Sequence, residues 1–152
     1  MNHELALSDA DATATLARSL ALSAPERAVV YLHGELGAGK STLARAWLRA
    51  LGVTGAIKSP TYTLVERYPL ARGEAAHLDL YRLAGAGELD FLGLDELASE
   101  ARLWLVEWPE RGQGGLPAPD LSLHLLHDGP GRRASMAAGS PAGEAWLGRI
   151  AS

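Results

Sequence analysis

The sequence predicts an α/β fold with some antiparallel pairing. Three observations carry that expectation. Short apolar runs that read as buried strands recur along the chain, as in AVVYL (28–32) and LWLV (103–106). Segments of helical spacing lie between them, with Leu43, Trp47 and Leu51 at i, i+4 and i+8 on one face. The 152 residues suit one domain with one substantial core. No internal repeat or long linker divides them, so residues 1–152 are read as a single domain.

Taken in order, Ser8 with Asp11 three residues on resembles a capping box, and Leu16 and Leu20 keep a helical spacing. A helix is expected over 9–22, closed by Pro25. The strand over 28–32 follows, then a helix over 40–51 with Gly52 as its stop. TYTLVERY (61–68) alternates and carries β-branched and aromatic residues, which predicts a strand. A turn over 69–73 leads to another strand over 75–80. Gly85 and Gly87 break the chain before a helix near 88–101. The strand 103–106 ends in Glu107, and EWPERGQGGLPAP is a Gly- and Pro-rich loop. Residues 121–126 and 132–137 read as a hairpin, and the tail over 141–150 as a helix.

Composition narrows the function classes. The formal net charge is -4, so the chain lacks the basic excess of a protein that grips nucleic acid alone, and direct tight binding of that kind is not expected. There is no cysteine, which removes disulfides, thiol catalysis and cysteine-rich zinc sites. The first residues, MNHELALSDADATATLARS, do not form a basic segment followed by an apolar run. No apolar stretch approaches the ~20 residues that span a bilayer. The expectation is a cytoplasmic protein that uses no membrane. Of 14 basic residues only two are lysine, Lys40 and Lys58; wherever a general cation would serve, the chain uses arginine. At Lys40 a point charge on a flexible stem meets a need that a planar guanidinium would not.

Lys40 sits inside HGELGAGKST (33–42), where the strand AVVYL has just ended. Gly34-Glu35-Leu36-Gly37-Ala38-Gly39-Lys40-Ser41 matches G-x-x-x-x-G-K-[ST]. A chain that wraps its amides around phosphate oxygens must avoid bulky side chains and adopt positive φ, and glycine meets both conditions. The following helix aims its N-terminal amides and positive dipole end at the same anion. Lys40 is then expected to reach the β- and γ-phosphates, the Ser41 hydroxyl to ligate Mg²⁺, and Thr42 to add a second hydroxyl. Backbone amides of Glu35, Leu36, Gly37, Ala38 and Gly39 complete the binding set. This loop turns the α/β expectation into a single-domain P-loop NTPase-like fold, a mixed parallel/antiparallel sheet flanked by helices. GTPases read guanine with Asn-Lys-x-Asp, and the one asparagine here is Asn2, so ATP is favoured over GTP.

Such an enzyme needs a carboxylate near Mg²⁺ at the end of an apolar strand. Asp79 in HLDLY and Glu107 in LWLVEWP compete for that role. Glu107 follows the more apolar run and is assigned to the Mg²⁺ shell; Asp79 would then orient or deprotonate the attacking water. The two roles are exchangeable at this level. KSPTYTLVE (58–66) offers the hydroxyls of Ser59, Thr61 and Thr63 and reads either as a γ-phosphate sensor or as an edge strand entered through Pro60. His33, His77, His124 and His127 show no ligand-like spacing and are read as structural or surface groups. Trp108 is read as half-buried, and Arg132 with Arg133, on spacing alone, as solvent-exposed.

GELGAGKST, KSPTYTLVERY, HLDLYRL, ELDFLGLDE and LVEWPERG, in this order and spacing, resemble the bacterial TsaE (YjeE) family from about residue 8 to 150. The resemblance implies a small Mg²⁺-dependent P-loop ATPase needed to make threonylcarbamoyladenosine on tRNA. It implies action through TsaD and TsaB, the catalytic pair, with weak ATP hydrolysis alone and more with these partners. It matches Ser41 and Glu107 to the family's magnesium and nucleotide residues and Asp79 to the aspartate of its DLYR motif. It makes Arg132 the candidate for an arginine near the adenine. The chain departs from the commonest form in Ser41, where threonine is usual, and in Glu35, where aspartate is frequent. Two other readings compete. A small-molecule kinase would use the same P-loop, but no lid insertion is visible and Arg102 and Arg111 are too scattered to supply one. A nucleotide-gated binding module would barely hydrolyse ATP.

Overall fold

The computed structural model describes residues 2–150. One seven-stranded sheet runs β1-β7-β6-β2-β5-β4-β3. Its centre is parallel: β2 (Ala28–His33) lies between β5 (Ala101–Glu107) and β6 (Leu121–Asp128), and β4 (Glu74–Asp79) adds to β5. Both flanks are antiparallel, with β3 (Val65–Pro69) on β4, β7 (Gly131–Ala138) on β6, and β1 (Asn2–Leu7) on β7. The mixed sheet with flanking helices is the architecture the sequence predicts.

Period-2 alternation divides the core in two. Leu103 and Leu105 of β5 join Val30, Leu32 and Leu121 on one face, under α1 (Ala10–Ser23), α2 (Lys40–Ala50) and α4 (Pro141–Ile150). Trp104 and Val106 join Leu78 on the other face, under α3 (Leu94–Glu100). Leu43, Ala44, Trp47 and Leu48 are the buried stripe of α2, as its spacing predicts. Trp47 meets Trp146 of α4 edge-on at 5.7 Å. The buried Trp146 indole donates to Ser23 Oγ at 3.1 Å, so its polar end is not stranded in the core.

Four expectations are corrected. Helix α1 is capped by Asp9 rather than Ser8: the Asp9 carboxylate accepts from the Ala12 amide at 2.8 Å. The strand expected over 61–68 starts only at Val65. Ser59 and Thr61 bond each other at 2.7 Å, Thr63 donates to Glu66, and the Leu64 amide donates to Pro60 O, so local bonds displace the ladder there. The helix expected near 88–101 is a short 3-10 helix over Ala86–Phe91 followed by α3, because Gly93 takes φ +69° between them; Ala101 already belongs to β5. Strand β1 was not anticipated. It is an edge strand in which Leu7 is buried and Leu5 exposed, so it buries little and its backbone pairing with β7 holds it.

Candidate functional site

Strands β2, β4 and β5 are parallel, so their C-terminal ends open on one side of the sheet, where α/β proteins bind ligands. The loop 34–39 joins β2 to α2 at that edge. Gly37 and Gly39 hold φ of +79° and +107°, and a Cβ on either would meet nothing within 4 Å. Their missing side chains therefore leave open space rather than serve packing. Gly34 is different: at φ +149° its Cβ would lie 2.7 Å from the backbone oxygen of Leu125, so the loop is seated against β6. Gly39 caps α2 without a side-chain hydrogen bond, and the first amides of the helix stay available to an anion.

The Lys40 ammonium is folded back onto this loop. It donates to the carbonyls of Gly34 and Glu35 and lies 4.1 Å from the centroid of the Trp108 ring. Burial lowers its pKa, against the opposing pull of Glu107, Asp79 and Glu110. Trp108 is half-buried as expected and holds a positive φ of +56°, which turns the ring over the cleft beside Tyr81. Glu35, Leu36, Ser41, Thr42, Thr61, Asp79 and Glu107 share that cleft, whose volume is about 250 Å³. Leu36 stands exposed at the rim.

Ser41 Oγ lies 3.1 Å from both oxygens of Glu107. Glu107 is 2 % exposed, and its second donor is His77, at 2.6 Å from Nε2 to Oε2. Asp79 stands opposite Glu107 in the β4–β5 register. It is buried, one oxygen accepting from the Tyr81 amide at 3.1 Å. Burial raises its pKa above the ordinary carboxylate value; the Tyr81 bond opposes this and the Glu107 charge adds to it.

Arg132 is not a free surface group. Its guanidinium donates to the carbonyls of Ala38 at 3.2 Å and Gly37 at 3.1 Å, fastening β7 to the glycine loop. Beside it a hollow lined by Asp9, Thr13, Gly39, Thr42 and Leu125 adjoins the cleft. Arg133 does face solvent, bonded to Asp128. Of the histidines, His33 and His124 stack at 4.3 Å on β2 and β6. His77 alone among the four enters the cleft's polar cluster, which the sequence reading missed. The signal was present: His77 and Asp79 are two apart on one strand and so share a face.

The residues present fit a nucleotide phosphate with magnesium. The loop is an open cradle edged by amides, with a buried ammonium satisfied by main-chain carbonyls that a phosphate oxygen could replace. Among the described residues no three His, Asp or Glu side chains gather as a metal cage. One hydroxyl and one carboxylate form the hard-oxygen set that suits magnesium sharing its shell with water and phosphate.

Comparison with known proteins gives the family. The model of the family described as "Threonylcarbamoyl adenosine biosynthesis protein TsaE" matches residues 7–135. The chain is similar to the tRNA threonylcarbamoyladenosine biosynthesis protein TsaE of Haemophilus influenzae, 46 % identical over 106 residues, 70 % of this chain and 67 % of that one. It is also similar to the protein of that name from Bacillus subtilis, 33 % identical over 121 residues, 80 % of this chain and 75 % of that one. A crystal structure of Bacillus subtilis YdiB shares the fold, with a TM-score of 0.83 and 24 % identity over 99 % of this chain and 95 % of that one. The family match spans the glycine loop, the β4 and β5 carboxylates and Arg132, and the chain belongs to the TsaE family.

Proposed function

We propose that this chain is a P-loop ATPase that supports threonylcarbamoyladenosine modification of tRNA by binding the TsaB–TsaD pair and hydrolysing ATP so that the pair turns over. Membership of a family named for this tRNA modification gives the biological setting. The observation that carries the chemical reading is the convergence of Ser41 and Glu107 beside the glycine cradle and Lys40.

In this reading the loop amides and the α2 N-terminus bind the phosphates of ATP. Lys40 leaves the carbonyls of Gly34 and Glu35 for the β- and γ-phosphate oxygens, exchanging neutral acceptors for charged ones. Ser41 and Glu107 would hold Mg²⁺, which when bound neutralises charge on the phosphates. Asp79 accepts a proton from the water whose oxygen attacks the γ-phosphorus, as the bond from that phosphorus to the β-phosphate bridging oxygen breaks. A raised pKa suits a carboxylate that must take up a proton. The hollow beside Arg132 is the place for the base, and Arg132 acts there chiefly by fixing the Gly37 and Ala38 carbonyls. No helix among the described residues is long and apolar enough to cross a membrane, and a cytoplasmic location is part of the proposal. Action through protein partners fits the acidic net charge of -4, since no basic tRNA-gripping face is then needed.

The test is ATP hydrolysis by the purified chain, alone and with its TsaB–TsaD pair. Slow hydrolysis alone and faster hydrolysis with the pair is expected. A high rate that the pair does not change would overturn the partner-activated reading, and fast partner-free phosphoryl transfer to a metabolite would replace it with a kinase.

A further inference from the structure

The proposed magnesium shell leaves one buried polar side chain unused. His77 is 2 % exposed, on the face of β4 that also carries Asp79. Its Nε2 lies 2.6 Å from Glu107 Oε2, and its Nδ1 is buried without a hydrogen-bond partner. That pairing fixes the ring proton. On Nε2 it makes a short bond to a carboxylate. On Nδ1 it would leave a buried N–H with no acceptor and press the Nε2 lone pair against a carboxylate oxygen.

Glu107 is equally buried, and a carboxylate in that setting needs donors. Ser41 has one hydroxyl hydrogen, shared between Oε1 and Oε2 at 3.1 Å each, so it does not choose between them. His77 does choose: it holds Oε2 and leaves Oε1 with Ser41 alone. The two strands fix this geometry, because His77 and Asp79 pair in register with Leu105 and Glu107.

We propose that His77 is a positioning residue for the metal shell, orienting the Glu107 carboxylate so that one oxygen is presented beside Ser41. This rests on the reading of Ser41 and Glu107 as magnesium residues. Hydrogen-bond partners of a metal-binding carboxylate set its direction and basicity, and their loss typically weakens metal binding about 10–100-fold. A histidine that merely filled the core would carry no such effect.

The test compares ATP affinity by calorimetry in EDTA and in magnesium, for wild type, His77→Phe and His77→Gln. The magnesium enhancement in wild type is expected to shrink about 10–100-fold in His77→Phe while the affinity in EDTA stays unchanged. His77→Gln, whose amide nitrogen takes the place of Nε2, is expected to keep most of the enhancement. Should His77→Phe not fold, His77→Asn replaces it, since its amide falls short of that position. Equal enhancement in wild type and in the donor-less variant overturns the positioning role alone. No enhancement in wild type overturns the magnesium reading and the inference with it. In the ligand-free protein, ¹⁵N spectroscopy of His77 is expected to find the proton on Nε2; a proton on Nδ1 overturns the orientation argument whatever the metal does.

Discussion

Replacing Gly39 with alanine separates what the loop does for folding from what it does for a ligand. At φ +107° an L side chain is strained, at about 1–3 kcal/mol. The new Cβ meets nothing within 4 Å, so strain is the whole cost to the fold. For a domain of this size the melting midpoint should fall by roughly 2–12 °C. Gly34→Ala adds to a similar strain at φ +149° a Cβ that lies 2.7 Å from Leu125 O. That oxygen belongs to strand β6 and cannot swing away, so overpacking adds a further ~1–3 kcal/mol. Gly34→Ala is therefore expected to be the less stable of the two. Calorimetry then asks the second question. The proposed phosphate approach runs through the open space beside Gly39, so on that proposal Gly39→Ala should lose ATP affinity while remaining folded. The reasoning fails on stability if Gly34→Ala melts no lower than Gly39→Ala. It fails on function if folded Gly39→Ala binds ATP like wild type.

Two further outcomes follow from the same site. Burial raises the Asp79 pKa in the folded state, so its ionisation opposes folding above that pKa, and the penalty disappears as pH falls below the unfolded value of about 3.9. Asp79→Asn keeps an acceptor for the Tyr81 amide and should melt higher than wild type at neutral pH, with the gap closing toward acid while ATP hydrolysis is lost; equal or lower stability at neutral pH would contradict this. Thr61 lines the cleft from a segment that precedes β3 and is held by local hydroxyl bonds, so hydrogen exchange over 58–66 should differ between ATP-bound, ADP-bound and ligand-free protein; identical exchange in all three states would remove any switch role.

Much of this molecule was legible in its sequence because strong local signals and global packing agree. The buried stripe of α2 and the apolar runs of β2 and β5 are periodic and long enough to read. The glycine loop was legible as a loop for a different reason: its glycines fall where the chain takes positive φ between β2 and α2. What escaped was set by tertiary contact. Strand β1 gains its place from backbone pairing with β7, which leaves almost no side-chain pattern. Pro60 and the hydroxyls around it look like a strand by propensity and close into turns by local bonding. The link from Arg132 to Gly37 and Ala38 spans more than ninety residues, beyond any periodicity. Spacing alone put Arg132 in solvent; only the family resemblance directed attention to it, as a candidate near the adenine. The more apolar run favoured Glu107 over Asp79 but left their roles exchangeable, and which of the two meets Ser41 is visible only in three dimensions. His77, read as a structural or surface group, is buried against Glu107, and its alternation with Asp79 along the chain already placed the two on one face.

That residues 34–42 bind the phosphates of ATP is tested most directly by titrating ATP with magnesium into wild type and Lys40→Ala under one set of conditions. Saturable one-site binding to wild type, lost in a Lys40→Ala protein that still melts cooperatively, is the expected result. Wild-type affinity in Lys40→Ala, or no binding to wild type, would contradict the phosphate-loop reading on which the proposed ATPase rests.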